Sequence, residues 1–347
     1  MTPARALAIR RGCFRATFLS LALLASLPVL PASAGERVRA KGTTVRMEPP
    51  EGFVPADRFT GFQREDAQSS IQVNVVPGPR SEMVKAMTRA GLASRGMTLI
   101  ASTTQTVNAK DALVLHVEQD GNGVAHEKWL VLAGDETAAV MLIGTTPKSA
   151  DAKLRAAVRA ARLGATWDAG SPTDRYEGLP FRLTPAGTLT DVRRMGGNVV
   201  LTQPGRPKTG AAGDPLYVAG MSHSAVAVGD LAEYSKSRAA RTETLLAVGN
   251  LRGRETKVAG LDAYEIVADA KDTKSAAPLL LYQVLVPDGK GYWIMQGIVA
   301  AECSEEWLPV FRKITESIRK QEPDPATPTK AGEEPQPPTK PASGDGK

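Results

Sequence analysis

The sequence predicts an α+β protein built from two tandem units, each an antiparallel sheet covered by helices. Three observations carry that reading. Two stretches of the 347-residue chain repeat the same order of apolar strands and a closing amphipathic helix. The spacing between matched landmarks is nearly equal in both. The strands follow one another through short turns, which favours antiparallel pairing over the long crossovers that parallel strands need.

The first 34 residues read as a cleavable export signal. Arg5, Arg10, Arg11 and Arg15 form a basic start, Phe18 to Leu30 an apolar core, and Ala32-Ser33-Ala34 a small-residue cleavage site. The apolar core is short for a membrane span, and the rest of the sequence offers no longer one. Cys13 precedes the apolar core, which argues against a lipid-modified cysteine. Arg10-Arg11 raises the twin-arginine route, but Phe14 falls one place too far along for it. The expected location is therefore periplasmic or secreted, with cleavage after Ala34.

The signal carries four arginines and no acid. The remainder holds 39 basic and 37 acidic side chains, a net charge of +2 against +6 for the whole chain. So mild a charge, without clustering of Lys and Arg, does not point to nucleic acid. Only Cys303 remains after cleavage, so no intramolecular disulfide is expected and Cys303 reads as a small residue at the start of the last helix.

The first unit, residues 35–166, opens at Pro50-Glu51-Gly52-Phe53. Short strands lead to a helix capped by Ser81, with Met83, Val84, Met87 and Leu92 on or near one face. A three-stranded meander follows: Asp111–Val117, Lys128–Leu132 and Ala139–Gly144. A helix from Ala150 to Leu163 closes the unit. Residues 167–175 form a linker. The second unit, residues 176–320, opens at Glu177-Gly178-Leu179-Pro180-Phe181 and carries a Pro/Gly-rich excursion from Gln203 to Pro215. Its first helix spans Asp230 to Leu246. Its meander is Asp262–Val267, Leu281–Val286 and Tyr292–Gly297, and its closing helix is Glu305–Ile318. From Asp111 to Gly144 is 33 residues and from Asp262 to Gly297 is 35. Residues 321–347 are rich in Pro, Lys, Glu, Thr and Gly, too poor in apolar surface to offset ordering entropy, and read as a disordered tail.

Each unit resembles the PsbP/Mog1-like fold, an α/β/α sandwich. The likeness rests on the Pro50–Phe53 opening, the strands after Asp111 and Asp262, the strands ending in Gly144 and Gly297, and the closing run Phe311–Ile318. It extends over most of Arg46 to Arg319 and implies adaptor, assembly or envelope-associated roles. It supplies no set of site residues.

Catalytic signatures are missing. There is no GxGxxG, no GxxxxGK[ST], no HExxH and no CxxC. Ser222-His223-Ser224 places a nucleophile type beside a base type, but neighbours on a strand point to opposite faces. Trp129, Tyr282, Tyr292, Trp293 and Trp307 fit either a ligand groove or the core, and their spacing favours the core. For the Leu115–Lys128 hairpin, a three-residue loop at Gly121–Gly123 places Leu113 opposite Val131 and Leu115 opposite Trp129. That register collects the apolar residues on one face and His116, Glu118 and His126 on the other. Two imidazoles and a carboxylate are a ligand set for a transition metal; an ordinary solvated strand face is the simpler reading. No cofactor is implied. The expected function is a non-enzymatic binding, assembly or adaptor protein of the cell envelope. Its partner would be an envelope protein or a small ligand. The alternative is a hydrolase acting on an envelope polymer through an undeclared site.

Overall fold

The structure is a computed structural model that describes residues 36–121, 123–168, 171–205, 213–242 and 244–321. The expected export signal, nearly all of the expected tail and the middle of the Gln203–Pro215 excursion lie outside the described residues.

Two seven-stranded antiparallel sheets follow one another along the chain. A short pair, β1 (Val38–Arg39) and β2 (Arg46–Met47), leads into the first sheet. Its strands are β3 (Val54–Pro55), β4 (Gly61–Arg64), β5 (Ser69–Pro77), β6 (Met97–Val107), β7 (Lys110–Gly121), β8 (Val124–Gly134) and β9 (Ala138–Pro147). Helices α1 (Arg80–Ala86) and α2 (Arg89–Ala93) precede β6, and α3 (Ala152–Leu163) follows β9. Strand β10 (Phe181–Arg182) pairs with the last strand, β18 (Arg319–Lys320). The second sheet holds β11 (Asp191–Met195), β12 (Asn198–Thr202), β13 (Leu216–Met221), β14 (Leu245–Val258), β15 (Leu261–Asp272), β16 (Pro278–Pro287) and β17 (Tyr292–Ala300). Helix α4 (Leu231–Ala240) precedes β14, and α5 (Ser304–Glu316) follows β17.

The strand orders are β3-β4-β5-β9-β8-β7-β6 and β11-β12-β13-β17-β16-β15-β14. They are the same order, strand for strand, so the α+β class and the tandem repeat expected from the sequence are both present.

Both faces of each sheet are covered. On β7, Val114 packs in the core under α3 with Val158, while Leu115 packs with Leu92 of α2. On β15, Val267 lies in the core with Phe311 of α5, and Ile266 lies with Ala239 of α4. Adjacent residues point to opposite faces of a strand. Burial on both sides therefore explains why the meander strands read as nearly continuous apolar runs.

Three expectations are corrected. The meander has four strands rather than three, because β6 and β14 precede it. Each is joined to its neighbour by a two-residue turn with positive φ at both positions: 51° and 57° at Asn108-Ala109, 50° and 79° at Ala259-Gly260. That geometry matches the twist of a hairpin. The first helix is two short ones. Thr88 accepts a hydrogen bond from Gly91 N–H and starts a new helix, and the first begins after Pro79, with Ser81 inside its first turn rather than at its cap. Helix α4 stops at Ala240, and Leu246 belongs to β14.

The β7–β8 register also differs, by one residue. Leu113 pairs with Leu132, Leu115 with Leu130 and His116 with Trp129. Gly121 pairs with Val124, and Gly123 has φ +78°. Asn-Gly is the preferred pair for a two-residue hairpin turn. The choice of one clean apolar face assumed a sheet with one wet side, whereas helices pack on both faces of this one.

Candidate functional site

His116, Trp129 and Gly144 are cross-strand partners on the face of the first sheet that α3 covers. Gly144 provides the seat for the helix. A Cβ there would stand 2.7 Å from Val158 Cγ1 and 2.8 Å from Arg162 Nε. The space above the glycine is filled by Arg162, whose Cζ lies 5.9 Å from the Trp129 ring centroid. On the other side of the indole, the His116 ring stacks at 5.2 Å with planes 13° apart.

Glu127 lies on the same face. It accepts from Arg155 Nη1 at 3.0 Å and contacts His116 Nε2 at 3.1 Å. Arg155, Arg159, Ala156, Ala160 and Leu163 of α3, with Trp129 and Glu127, line a cleft of about 370 Å³. Arg162 is 0% exposed. Its Nε donates to Val158 O within the helix, and among the described residues its Nη1 and Nη2 have no acceptor. Burial, with repulsion from Arg159 added, lowers its pKa to about 9, so the guanidinium remains charged at neutral pH.

The three sequence-derived metal candidates are not brought together. His116 and Glu118 share the α3 face, where Glu118 pairs with Lys148 at 2.8 Å. His126 sits opposite Gln119 and therefore points to the other face. The one-residue register difference is the cause. Among the described residues no group of three or more His, Cys, Asp or Glu side chains could hold a metal.

The second sheet has the matching row Val267, Tyr282, Gly297, Tyr217. Gly297 again seats the closing helix, this time under Phe311, 2.5 Å from an added Cβ. Tyr217 and Tyr282 both reach Thr315 Oγ1, at 2.7 and 3.1 Å. Glu265, 4% exposed, is held by Arg254 and Arg312. A cleft of about 320 Å³ opens beside them. Where the first unit places a guanidinium on the glycine, the second places a phenyl ring.

The two sheets are joined by arginines. Arg58 donates to Asp288 at 2.7 Å, to Ser222 Oγ at 2.6 Å, to Ser222 O at 3.0 Å and to Tyr292 O at 3.3 Å. Arg39 makes a bidentate pair with Glu177, and Arg194 donates to Thr60 Oγ1 at 3.0 Å. Ser222 is thus a joint residue: its Oγ accepts from Arg58 and donates to Ser224 O. The five aromatic side chains singled out in the sequence are all buried, and of these Trp129 borders the α3 cleft. Cys303 is partly buried and directly precedes α5.

Sequence reasoning did not single out the sheet edges. Strand β6 closes one sheet and β14 the other. The eleven residues of β6 (MTLIASTTQTV) carry no charge, no Pro and no Gly, and most are exposed; Ile100 is 48% exposed. Arg89 caps one of its carbonyls, that of Leu99, at 3.2 Å. Strand β14 carries Arg252, Arg254, Glu255 and Lys257, two glycines and two register shifts. The signal for β6 was its run of β-branched residues.

No protein family model matches the chain, and no curated protein is significantly similar to it. Among solved structures it is similar to the immunity protein TplEi of the type VI secretion system of Pseudomonas aeruginosa. That match has 12% identity over 83% of this chain and 98% of that one, with a TM-score of 0.30. The Tle4–Tli4 complex matches at 14% identity over 77% and 96%, TM-score 0.31. LpqN of Mycobacterium tuberculosis, involved in cell envelope biogenesis, matches at 19% over 44% and 85%, TM-score 0.27. Superpositions this loose carry no argument about function here.

Proposed function

We propose that the protein is an exported, non-enzymatic binding or assembly protein of the cell envelope, acting by adding a strand of a protein partner to β6. Export rests on the three-part pattern of residues 1–34. Among the described residues no helix is long and apolar enough to cross a membrane. The proposed bodies are the PsbP/Mog1-like units 35–166 and 176–320, with 167–175 as linker.

The edge strand carries the reading. An edge presents a row of unpaired backbone groups, and proteins blunt it with charges, bulges or proline unless pairing is wanted. Strand β14 has charges and two register shifts; β6, its counterpart in the same molecule, has one shift, between Leu99 and Ala101, and neither charge nor proline. An extended, uncharged, β-branched segment fits β6: its backbone supplies the ladder, and Thr and Ser side chains offer cross-strand partners. The polar clusters support binding over catalysis, since Glu127 and Glu265 are each engaged by arginine.

The test compares the full chain with Thr103→Lys and Ser102→Pro, both on the exposed edge. Envelope extract supplies the partner, and hydrogen exchange then reads which amides it protects. Protection concentrated in β6, with binding lost in both variants and circular dichroism unchanged, supports the proposal. Binding that survives both variants overturns it. So does a dimer of the chain alone that Thr103→Lys dissociates, because the occupant of β6 would then be a second copy.

A further inference from the structure

We propose that the cleft beside α3 binds a small organic anion, its acidic head taken by Arg155, Arg159 and Arg162 and its apolar body laid along the helix. The reading is independent of β6. Three observations meet at this place.

The first is charge without a counter-ion. Residues 155, 159 and 162 fall along one flank of a helix. Of the three guanidinium groups Arg155 pairs with a carboxylate, Glu127, which His116 already shares. Arg162 is wholly buried, and among the described residues its two terminal nitrogens have no acceptor, nor does the buried Nε of Arg155. Removing a guanidinium from water without pairing it is among the costliest arrangements in a protein interior. An acidic head supplies the missing charge, and guanidinium groups take carboxylates and phosphates in bidentate geometry.

The second is that packing does not require the arginine. Gly297 performs the same seating task as Gly144, and there Phe311 fills the space. The repeat thus holds an apolar solution to the same problem, and the first unit departs from it.

The third is the shape and lining of the cleft. Its volume of about 370 Å³ is at the small end of ligand pockets. Ala152, Ala156, Ala160, Leu163 and Trp129 give it an apolar wall, while the exposed Arg159 stands at its rim. An anion with a short apolar chain uses both parts. Arg162 is not itself part of the lining; it lies against Trp129, which is, so the head reaches it only when the wall at Trp129 and Arg159 opens.

The probe is octanoate, titrated into the full chain by calorimetry at pH 7 and low salt. Acetate controls for the head alone and octanamide for the body alone. Saturable one-to-one binding of octanoate is expected, with neither control matching it. Tryptophan fluorescence should change on binding and the change should vanish in Trp129→Phe. Arg159→Gln, on the exposed rim and safe for folding, should weaken octanoate about tenfold, the loss of one charge-assisted hydrogen bond. Arg162→Met should abolish binding and, in anion-free buffer, melt no lower than the parent chain. Octyl phosphate reads whether a phosphate head is preferred. The proposal fails if octanoate does not saturate, if octanamide binds equally, or if Arg159→Gln and Arg162→Met bind octanoate as the parent does.

Discussion

Arg58→Ala should lower the stability of the chain by about 2–3 kcal/mol. Arg58 lies between β3 and β4 of the first sheet, and its guanidinium enters the second, between the end of β13 and the β16–β17 turn. Its side chain and that of Asp288 are 11% and 12% exposed. Breaking a buried pair by removing one partner costs about 3–5 kcal/mol when the other charge is left alone. Asp288 is not left alone: its Oδ1 keeps the Gly291 and Lys290 N–H groups at 2.7 and 3.1 Å. The surviving donors reduce the cost to about 2–3 kcal/mol. For a body of this size that corresponds to about 4–6 °C in Tm. Urea unfolding followed by tryptophan fluorescence reads the loss. Trp293 of β17 and Trp307 of α5 report on the second unit, and Trp129 of β8 and Trp167 on the first. A loss below about 0.5 kcal/mol, in the range of exposed pairs, would refute the reasoning. Arg58→Lys should retain part of the pair and fall between, since an ammonium cannot reproduce the fork on Ser222 and Asp288.

Gly297→Ala should cost about 1–3 kcal/mol through overpacking, because its Cβ would meet the Phe311 ring at 2.5–2.8 Å. Phe311→Leu in the same chain should recover part of that loss in thermal unfolding. Glu265 gives the pH dependence. Burial raises its carboxyl pKa, but the bonds from Arg312 and Arg254 outweigh burial and hold it below the usual 4.5. A depressed native pKa contributes stability above the unfolded value that is lost as pH falls through the native one. Urea midpoints should therefore fall below pH 4.5, and Glu265→Gln, less stable at pH 7, should close the gap to the parent in acid. Parallel pH profiles for the two proteins would contradict this assignment. Thr103→Lys should leave the urea midpoint within about 0.5 kcal/mol of the parent, because it changes an exposed edge position.

Much of the architecture was legible because it depends on local pattern. The apolar runs of β7 to β9 and β15 to β17, the closing helices and the matched spacing of Gly144 and Gly297 are all visible in the residue order. Packing on both faces keeps those runs apolar in both copies. The edge strands were less legible. Strand β6 is rich in threonine and β14 in charge, and neither shows the alternation that burial of one face imposes. The break at Thr88 depends on a single capping hydrogen bond, which the apolar spacing of Met83, Met87 and Leu92 obscures.

The candidate sites divide along the same line. The sequence by itself determined that His116, Glu127, Trp129 and the α3 arginines lie close in chain order and in one hairpin-plus-helix unit. Which of them share a face required the β7–β8 register, and one residue of shift moved His126 to the far side. That Arg162 is buried could not be read from an amphipathic helix with arginines at three of its positions. Its burial follows from the helix settling on Gly144, a contact between elements that local sequence does not encode. The joint made by Arg58, Arg39 and Arg194 is of the same kind: its partners are separated by more than 130 residues, and only the docking of the two sheets brings them within hydrogen-bonding distance.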